Sequence, residues 1–184
     1  IVDVTIPEMS ELMSRSGVIG QEFEVDLNAY LAEFGSTMTL EQIVATGLYD
    51  PAVAPALERS AAAEQEPVTY QAALEARSAL RSAIEAAMQE SSVELIAYPP
   101  IATLPAKIGE PQAGNNCSLS ANSGLPALSL PIGFTDDGLP VGLELMGASF
   151  SDVNLLSSGY AIEQLMQARR APATTPPLMT TRAD

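Results

Sequence analysis

The hydrophobic pattern opens with Ile1-Val2-Asp3-Val4-Thr5-Ile6, which alternates apolar and polar residues and stops at Pro7, predicting a short strand. Over 22–34 the period changes to that of a helix: Phe23, Leu27, Tyr30, Leu31 and Phe34 fall on one face, Glu22, Glu24 and Asp26 load the first turn, and Gly35 follows as the stop. Thr39 and Gln42 have capping-box spacing ahead of Leu40, Ile43 and Val44, and Gly47 closes this second, short helix. The Pro-, Ala- and Glu-rich stretch 50–67 is read as a loop with helical pieces. The longest helix is predicted over 70–89, with Ala73, Ala76, Leu80, Ile84, Ala87 and Met88 as its buried stripe; the small residues in that stripe call for close packing against a neighbour.

Residues 93–98 form an apolar run of strand length, ended by Pro99-Pro100 because proline donates nothing to a ladder. A loop follows. Two further strands are predicted over 125–130 and 141–146, joined by a connection carrying Asp136-Asp137-Gly138, and the spacing permits an antiparallel pair. Ser151 is expected to cap a last helix in which Leu155, Ile162 and Met166 recur on one face. Arg169-Arg170 are expected to complement the dipole at its C-terminus before Pro172 ends it. Residues 172–184, with Pro176-Pro177, read as a tail.

The order strand, helices, strand, strands, helix is an α/β pattern with no repeat and no linker long enough to divide the chain. Few of these elements are available to cover both faces of a sheet, so further strands and helices are expected from sequence outside these residues. The chain begins at Ile1 with neither an initiator Met nor a signal peptide, and its natural N-terminus is expected upstream.

Composition narrows the function. The chain has 184 residues, and its 47% hydrophobic and 17% charged content is that of a polypeptide that folds. Its 23 acidic residues against 8 basic ones give a formal charge of -15, which repels nucleic-acid backbones and anionic membranes, so neither is expected as a partner. The basic residues are Lys107 and seven arginines; Arg77 with Arg81, and Arg169 with Arg170, are the close pairs, and neither makes a basic patch. No apolar run approaches the roughly 20 residues a bilayer span requires. Cys117 is the sole cysteine and histidine is absent, which excludes an intrachain disulfide, a Cys/His zinc site, and a Ser-His-Asp or Cys-His mechanism within the chain. One cysteine suits cytoplasm or export, with cytoplasm the favoured compartment, and no cofactor is called for.

Residues 115–164 carry a set of motifs in a fixed order: Ala121-Asn122-Ser123-Gly124-Leu125-Pro126-Ala127, then Pro131-Ile132-Gly133-Phe134, then Gly138-Leu139-Pro140-Val141-Gly142, and last Phe150-Ser151-Asp152 at the entry to the final helix. This block resembles the amidase-signature family closely, and the preceding Tyr98 to Ala106 stretch, YPPIATLPA, resembles the strand and loop that lead into it. The resemblance implies the C-terminal part of that fold, a mixed β-sheet flanked by α-helices, with residues 1–171 as a portion of one domain. It implies hydrolysis of, or transfer from, a carboxamide by a serine nucleophile, a second serine in a cis peptide and a lysine base.

That nucleophile segment and lysine belong to the N-terminal part of family members. No run like Gly-Gly-Ser-Ser-Gly-Gly occurs here, and Lys107 sits in a Pro-rich loop without the desolvation or neighbouring cation that a lysine base needs near neutral pH. No catalytic residue is therefore assigned, and the chain alone is expected to be inactive. Its expected partners are an N-terminal part of the same enzyme and a small-molecule amide; a homodimer of the whole enzyme stays open.

By the same resemblance, Asn116, Cys117, Asn122 and Ser123 are the candidate substrate-binding residues, lining the cleft. Short polar residues beside Gly124 and Pro126 suit a turn that brings backbone close to a ligand, although Asn122 and Ser123 serve equally well as local caps. Cys117 is read as cleft wall or core, because it has no basic neighbour in sequence to make it a reactive thiol. Gly133, Gly138 and Gly142 are read as structural. Glu144 and Asp152 could be paired as acid and base, yet strand alternation and a helix first turn explain them better, and Glu22, Glu24 and Asp26 read as a solvated face rather than a metal site. The expected substrate class is a small carboxamide, an anilide or a related linear amide or carbamate. The alternatives are a non-catalytic structural subunit of a two-chain enzyme, or the amidase-like subunit of a transfer-RNA-dependent amidotransferase.

Overall fold

A computed structural model describes residues 1–64 and 66–172. The chain divides into two compact units: Ile1–Ser91 with Ala121–Gly124, and Ser92–Ser120 with the chain from Leu125 onward.

The first unit is helical. It contains α1 (Met9–Arg15), α2 (Ile19–Glu33), α3 (Leu40–Thr46), α4 (Ala54–Ala61) and the 24-residue α5 (Pro67–Glu90). Pro67 at the first helical turn suits α5, since its missing N–H has no intrahelical partner there. The buried residues of α5 are the predicted stripe, Ala73, Ala76, Leu80, Ile84, Ala87 and Met88, and α1 packs along this helix. Alanines at three of those positions let a neighbouring backbone approach. At α3 the Thr39 hydroxyl accepts the Gln42 backbone N–H at 3.3 Å while the Gln42 side chain accepts the Thr39 N–H at 3.0 Å, completing the predicted capping box. Asn28 of α2 accepts the Leu40 N–H at 2.7 Å and so satisfies a further donor of that helix start. Gly47 ends it at φ 63°, a left-handed conformation that glycine adopts without Cβ strain.

Two expectations for this unit fail. Residues 1–6 form no strand: a strand is stable only beside a ladder partner, and none of the described strands pairs with this segment. The stripe expected on α2 is not buried either. Tyr30 and Phe34 are 58% and 72% exposed, their rings tilted at 45° with centroids 4.8 Å apart, and α2 packs chiefly on the short helices α3 and α4. Short α1 escaped the pattern reading, having one buried apolar residue, Leu12.

The second unit is a three-stranded antiparallel sheet, in the order β1 (Leu95–Tyr98), β3 (Pro140–Gly147), β2 (Ala127–Phe134). The short helix α6 (Ser118–Ser123) leads into β2. The predicted pairing of the last two strands is present, with Leu128 opposite Leu145 and Leu130 opposite Leu143. A register shift follows Pro131, and this edge strand tolerates the proline because its outer side has no ladder to supply. Gly138 closes the β2–β3 turn at φ 81°, its N–H donating to the Thr135 carbonyl at 2.9 Å.

Helix α7 (Asp152–Met166) crosses the face formed by β2 and β3, burying Leu155 and Gly159. A Cβ on Gly159 would run into the end of the Leu128 side chain, so the helix lies close on the strand and a larger residue there would require Leu128 to move. Ser151 holds the N-cap position as predicted, but its hydroxyl turns back to the Ala148 carbonyl at 2.7 Å and does not cap the helix. Arg169 and Arg170 fall beyond its last turn, because Gln167 takes a left-handed conformation and ends the helix at Met166. Among the described residues no helix is long and apolar enough to cross a membrane.

Candidate functional site

The clearest polar cluster outside the surface lies on the sheet face away from α7. Strand register brings Tyr98 of β1, Glu144 of β3 and Ser129 of β2 into one row across all three strands. Glu144 is only 6% exposed, and its carboxylate accepts hydrogen bonds from the Tyr98 hydroxyl at 2.6 Å, the Ser129 hydroxyl at 3.1 Å and the Ser120 hydroxyl of α6 at 3.4 Å. A buried carboxylate costs several kcal/mol unless its lone pairs are matched, on the order of the desolvation of one ion, and three hydroxyl donors provide that match here. Burial, and then the hydrogen bond and charge of Glu144, push the Tyr98 hydroxyl well above the ordinary tyrosine pKa, so it remains a proton donor across the physiological range.

Sequence reading set Glu144 aside because alternation alone puts it opposite Leu143 and Leu145. What it missed was that the same alternation, applied to 95–98 and 127–134, puts a tyrosine and a serine beside it. Asp152 is exposed at the start of α7, on another element, and joins no such cluster.

The four candidate binding residues divide between the units. Asn116, in the second unit, donates through its side chain to the Pro99 carbonyl at 2.8 Å and through its backbone to the Pro100 carbonyl at 3.0 Å, and so fastens its loop to the end of β1. Cys117 is exposed, which corrects the core alternative: it follows a turn in which Asn115 accepts its N–H at 2.9 Å and keeps the backbone at the surface. In the first unit, Asn122 donates to the Ser16 hydroxyl at 2.9 Å, and Ser16 donates in turn to the Met13 carbonyl at 3.0 Å. Ser123 is fully buried.

Two arginines of α5 close the end of α6. Arg77 donates to the Ala121 carbonyl at 2.7 Å and Arg81 to the Ser123 carbonyl at 2.7 Å, satisfying acceptors that a helix C-terminus leaves open. Their spacing of four residues was visible in the sequence as a charge pair on one helix face, but the carbonyls they serve were not. The local work of Asn122 is therefore a cap-like bridge, and that of 121–124 is to anchor the α6 terminus.

Lys107 is exposed in the loop after β1, as its Pro-rich surroundings suggest. The acidic group on α2 is engaged locally, Glu22 accepting the Tyr70 hydroxyl at 2.7 Å. Among the described residues no cluster of three Asp, Glu, Cys or His side chains is arranged to hold a metal. Concave surfaces exist in each unit: one of about 310 Å³ beside Glu22, Asp26 and Tyr70, and in the second unit one of about 370 Å³ formed by the 99–105 loop with Val141 and Gly142. None of the four candidate residues lines either one. The arrangement offers walls, caps and a buried acceptor, and among the described residues no serine nucleophile paired to a lysine is identified.

The family model described as Amidase matches residues 1–156. This chain belongs to the amidase-signature family. Its fold agrees: the native peptide amidase of Stenotrophomonas maltophilia aligns over 95% of this chain with a TM-score of 0.73 and 26% identity, yet this chain covers 37% of that enzyme. A bacterial aryl acylamidase of the amidase-signature family aligns over 89% of the chain with a TM-score of 0.60 and 22% identity, a likeness of fold. Among curated relatives, a glutamyl-tRNA(Gln) amidotransferase subunit of Moorella thermoacetica is 39% identical over 110 residues, 55% of this amidase-family chain and 22% of that protein. The chain thus spans about a fifth of the length of that curated relative and under two fifths of the solved peptide amidase. As a family of hydrolases acting on carbon–nitrogen bonds, the amidases supply the reaction class, and the Ser-Ser-Lys triad is characteristic of them.

Proposed function

We propose that this chain is the C-terminal part of a serine amidohydrolase, completing the sheet and one wall of a cleft whose catalytic Ser-cisSer-Lys residues lie in an N-terminal part. Residues 1–171 then belong to a single catalytic domain and 172–184 to a tail. The observation that carries this reading is coverage: almost the whole of the chain aligns with a peptide amidase, while spanning 37% of it. Two features of the second unit support it. Helix α7, seated on the sheet through Leu155 and Gly159, leaves Val153, Leu156 and Tyr160 exposed as a second apolar stripe, which suits a further packing partner. Among the described strands β1 has a neighbour on one side only, an edge that another strand would extend.

In the proposed reaction the serine oxygen adds to the carbonyl carbon of a small carboxamide, anilide or related amide or carbamate. Collapse of the tetrahedral adduct breaks the C–N bond, and ammonia or an amine leaves with the proton relayed by the lysine. Water then adds to the acyl-serine and releases the carboxylic acid, regenerating the serine. Asn116, Cys117, Asn122 and Ser123 are taken as wall residues of that cleft and not as reacting groups. Native mass spectrometry of the protein isolated from its source tests the proposal. A 19.3 kDa species bound to a lysine- and serine-bearing partner, with amide turnover confined to the complex, is expected. A folded, monodisperse 19.3 kDa species that hydrolyses amides unaided would contradict it.

A second reading is favoured by the 39% identity to the Moorella amidotransferase protein. There the chain would contribute to glutamine hydrolysis within a multi-subunit assembly, and its acidic charge would leave transfer-RNA contacts to other subunits. Glutaminase activity that depends on such partners selects this reading, whereas partner-free turnover of simple amides by the whole enzyme selects the first. A purely structural role in a two-chain enzyme predicts that neither half is active until the two are paired.

A further inference from the structure

The second unit holds a cavity of about 580 Å³ whose lining includes Pro131, Phe134, Pro140, Arg169 and Arg170. Its size falls within the range of small-molecule sites, and its make-up, an apolar body with a few charged groups, is what such sites share. Arg170 sits over Phe134, its guanidinium carbon 3.6 Å from the ring centroid. A cation–π contact of this kind takes up a face of the guanidinium and leaves its in-plane N–H donors available for a planar anion. In a chain with 23 acidic and 8 basic residues, two adjacent arginines would be expected to find carboxylates. Among the described residues neither forms an ion pair, and no carboxylate lines the cavity; Asp136 and Asp137, in the adjoining turn, are exposed and stand outside the lining.

We propose that this cavity binds an organic carboxylate, the anion held by Arg169 and Arg170 and an aryl or branched alkyl body set against Phe134, Pro131 and Pro140. Charge without an apolar body leaves the prolines and the ring wet, and an apolar body without charge leaves the two guanidiniums unmatched. A monoanion carrying both is the chemistry that fits. The site is independent of the amidase reading, because it uses none of the residues placed in the cleft wall.

Isothermal titration of the purified protein with phenylacetate, 2-phenylethanol and inorganic phosphate tests it. Phenylacetate is expected to bind saturably at one site and at least about tenfold more tightly than either the neutral alcohol or phosphate, a difference equivalent to one well-placed charge-assisted contact. Arg170→Gln should weaken it by about tenfold or more, Arg169→Gln by less, and Arg170→Lys should fall between wild type and Arg170→Gln because the charge remains while the planar fork is lost. Added salt should weaken binding. Circular dichroism of each variant checks the fold; if Arg170→Gln fails to fold, Arg170→Lys and Arg169→Gln carry the test, each expected to bind phenylacetate more weakly than wild type. Absence of saturable phenylacetate binding, equal affinity for the alcohol or phosphate, or phenylacetate binding unchanged in the arginine variants would overturn the proposal. The last result would put the bound acid elsewhere, such as a catalytic cleft, and would leave the amidase reading intact.

Discussion

Helices α5 and α7 are both rich in apolar residues, but they end in different states. In α5 the stripe is consumed within its own unit: Leu80 and Ile84 are wholly buried, and the opposite face carries the exposed Gln71, Glu75 and Gln89. In α7 one face is seated on β2 and β3 through Leu155 and Gly159, and the other presents Val153, Leu156 and Tyr160, with Leu156 60% exposed. The first helix has a finished environment. The second has half of one, and under the proposed reading its open side is where an N-terminal part would pack.

Substitutions can break or sharpen that contrast. Leu80→Ala removes a wholly buried side chain from the finished helix and should lower unfolding stability by about 2–5 kcal/mol, read by urea denaturation. A loss under about 1 kcal/mol would mean that the α5 core is loosely packed. Gly159→Ala tests the seated side of α7. Its new methyl meets Leu128, and overpacking of this kind costs about 1–3 kcal/mol.

Tyr98→Phe takes one of three donors from the buried Glu144 and should cost about 1–3 kcal/mol at neutral pH. It also has a pH signature. The Tyr98 hydroxyl is raised in the folded protein, chiefly by burial, so its contribution is full below the unfolded tyrosine pKa of about 10 and is lost as pH rises beyond it. The wild type should therefore lose stability in alkali more steeply than Tyr98→Phe. Subtracting the two curves removes the parallel effect of Tyr49 and Tyr70, whose hydroxyls are raised as well.

The smallest expected effect on stability is the most discriminating. Leu156→Ser on the open side of α7 should change the unfolding free energy of the isolated chain by no more than about 0.5 kcal/mol, since the side chain is already in water. It should nonetheless abolish copurification with an N-terminal part. A large loss of stability would show that α7 is already enclosed.

How much of this could be read from the residues follows from the range of the interactions involved. Patterns that close locally were legible: the α5 stripe, the Thr39–Gln42 box, the Asp136-Asp137-Gly138 turn and the antiparallel β2–β3 pair depend on near neighbours in sequence. Patterns that need a distant partner were not. Residues 1–6 alternate like a strand but have no ladder among the described strands; α2 has the period of a buried helix but packs chiefly on two short helices. The candidate site divides in the same way. Asn116 and Asn122 stood out by motif, but their bonds to Pro99 and Ser16, and the caps from Arg77 and Arg81, join segments up to 106 residues apart. Glu144 was seen as a strand residue, and only the register with Tyr98 and Ser129 made it a buried acceptor. Family membership was legible from 115–164 because motif order survives without geometry.

The central claim is that this chain finishes an amidase and does not perform the reaction alone. Incubation of the purified 19.3 kDa chain with a simple aryl carboxamide, following release of ammonia, tests it most directly. The account predicts no turnover above the uncatalysed rate for the chain by itself, and turnover when an N-terminal part bearing the serine and lysine is supplied. Sustained turnover by the chain alone, copurifying with no other polypeptide, would contradict it.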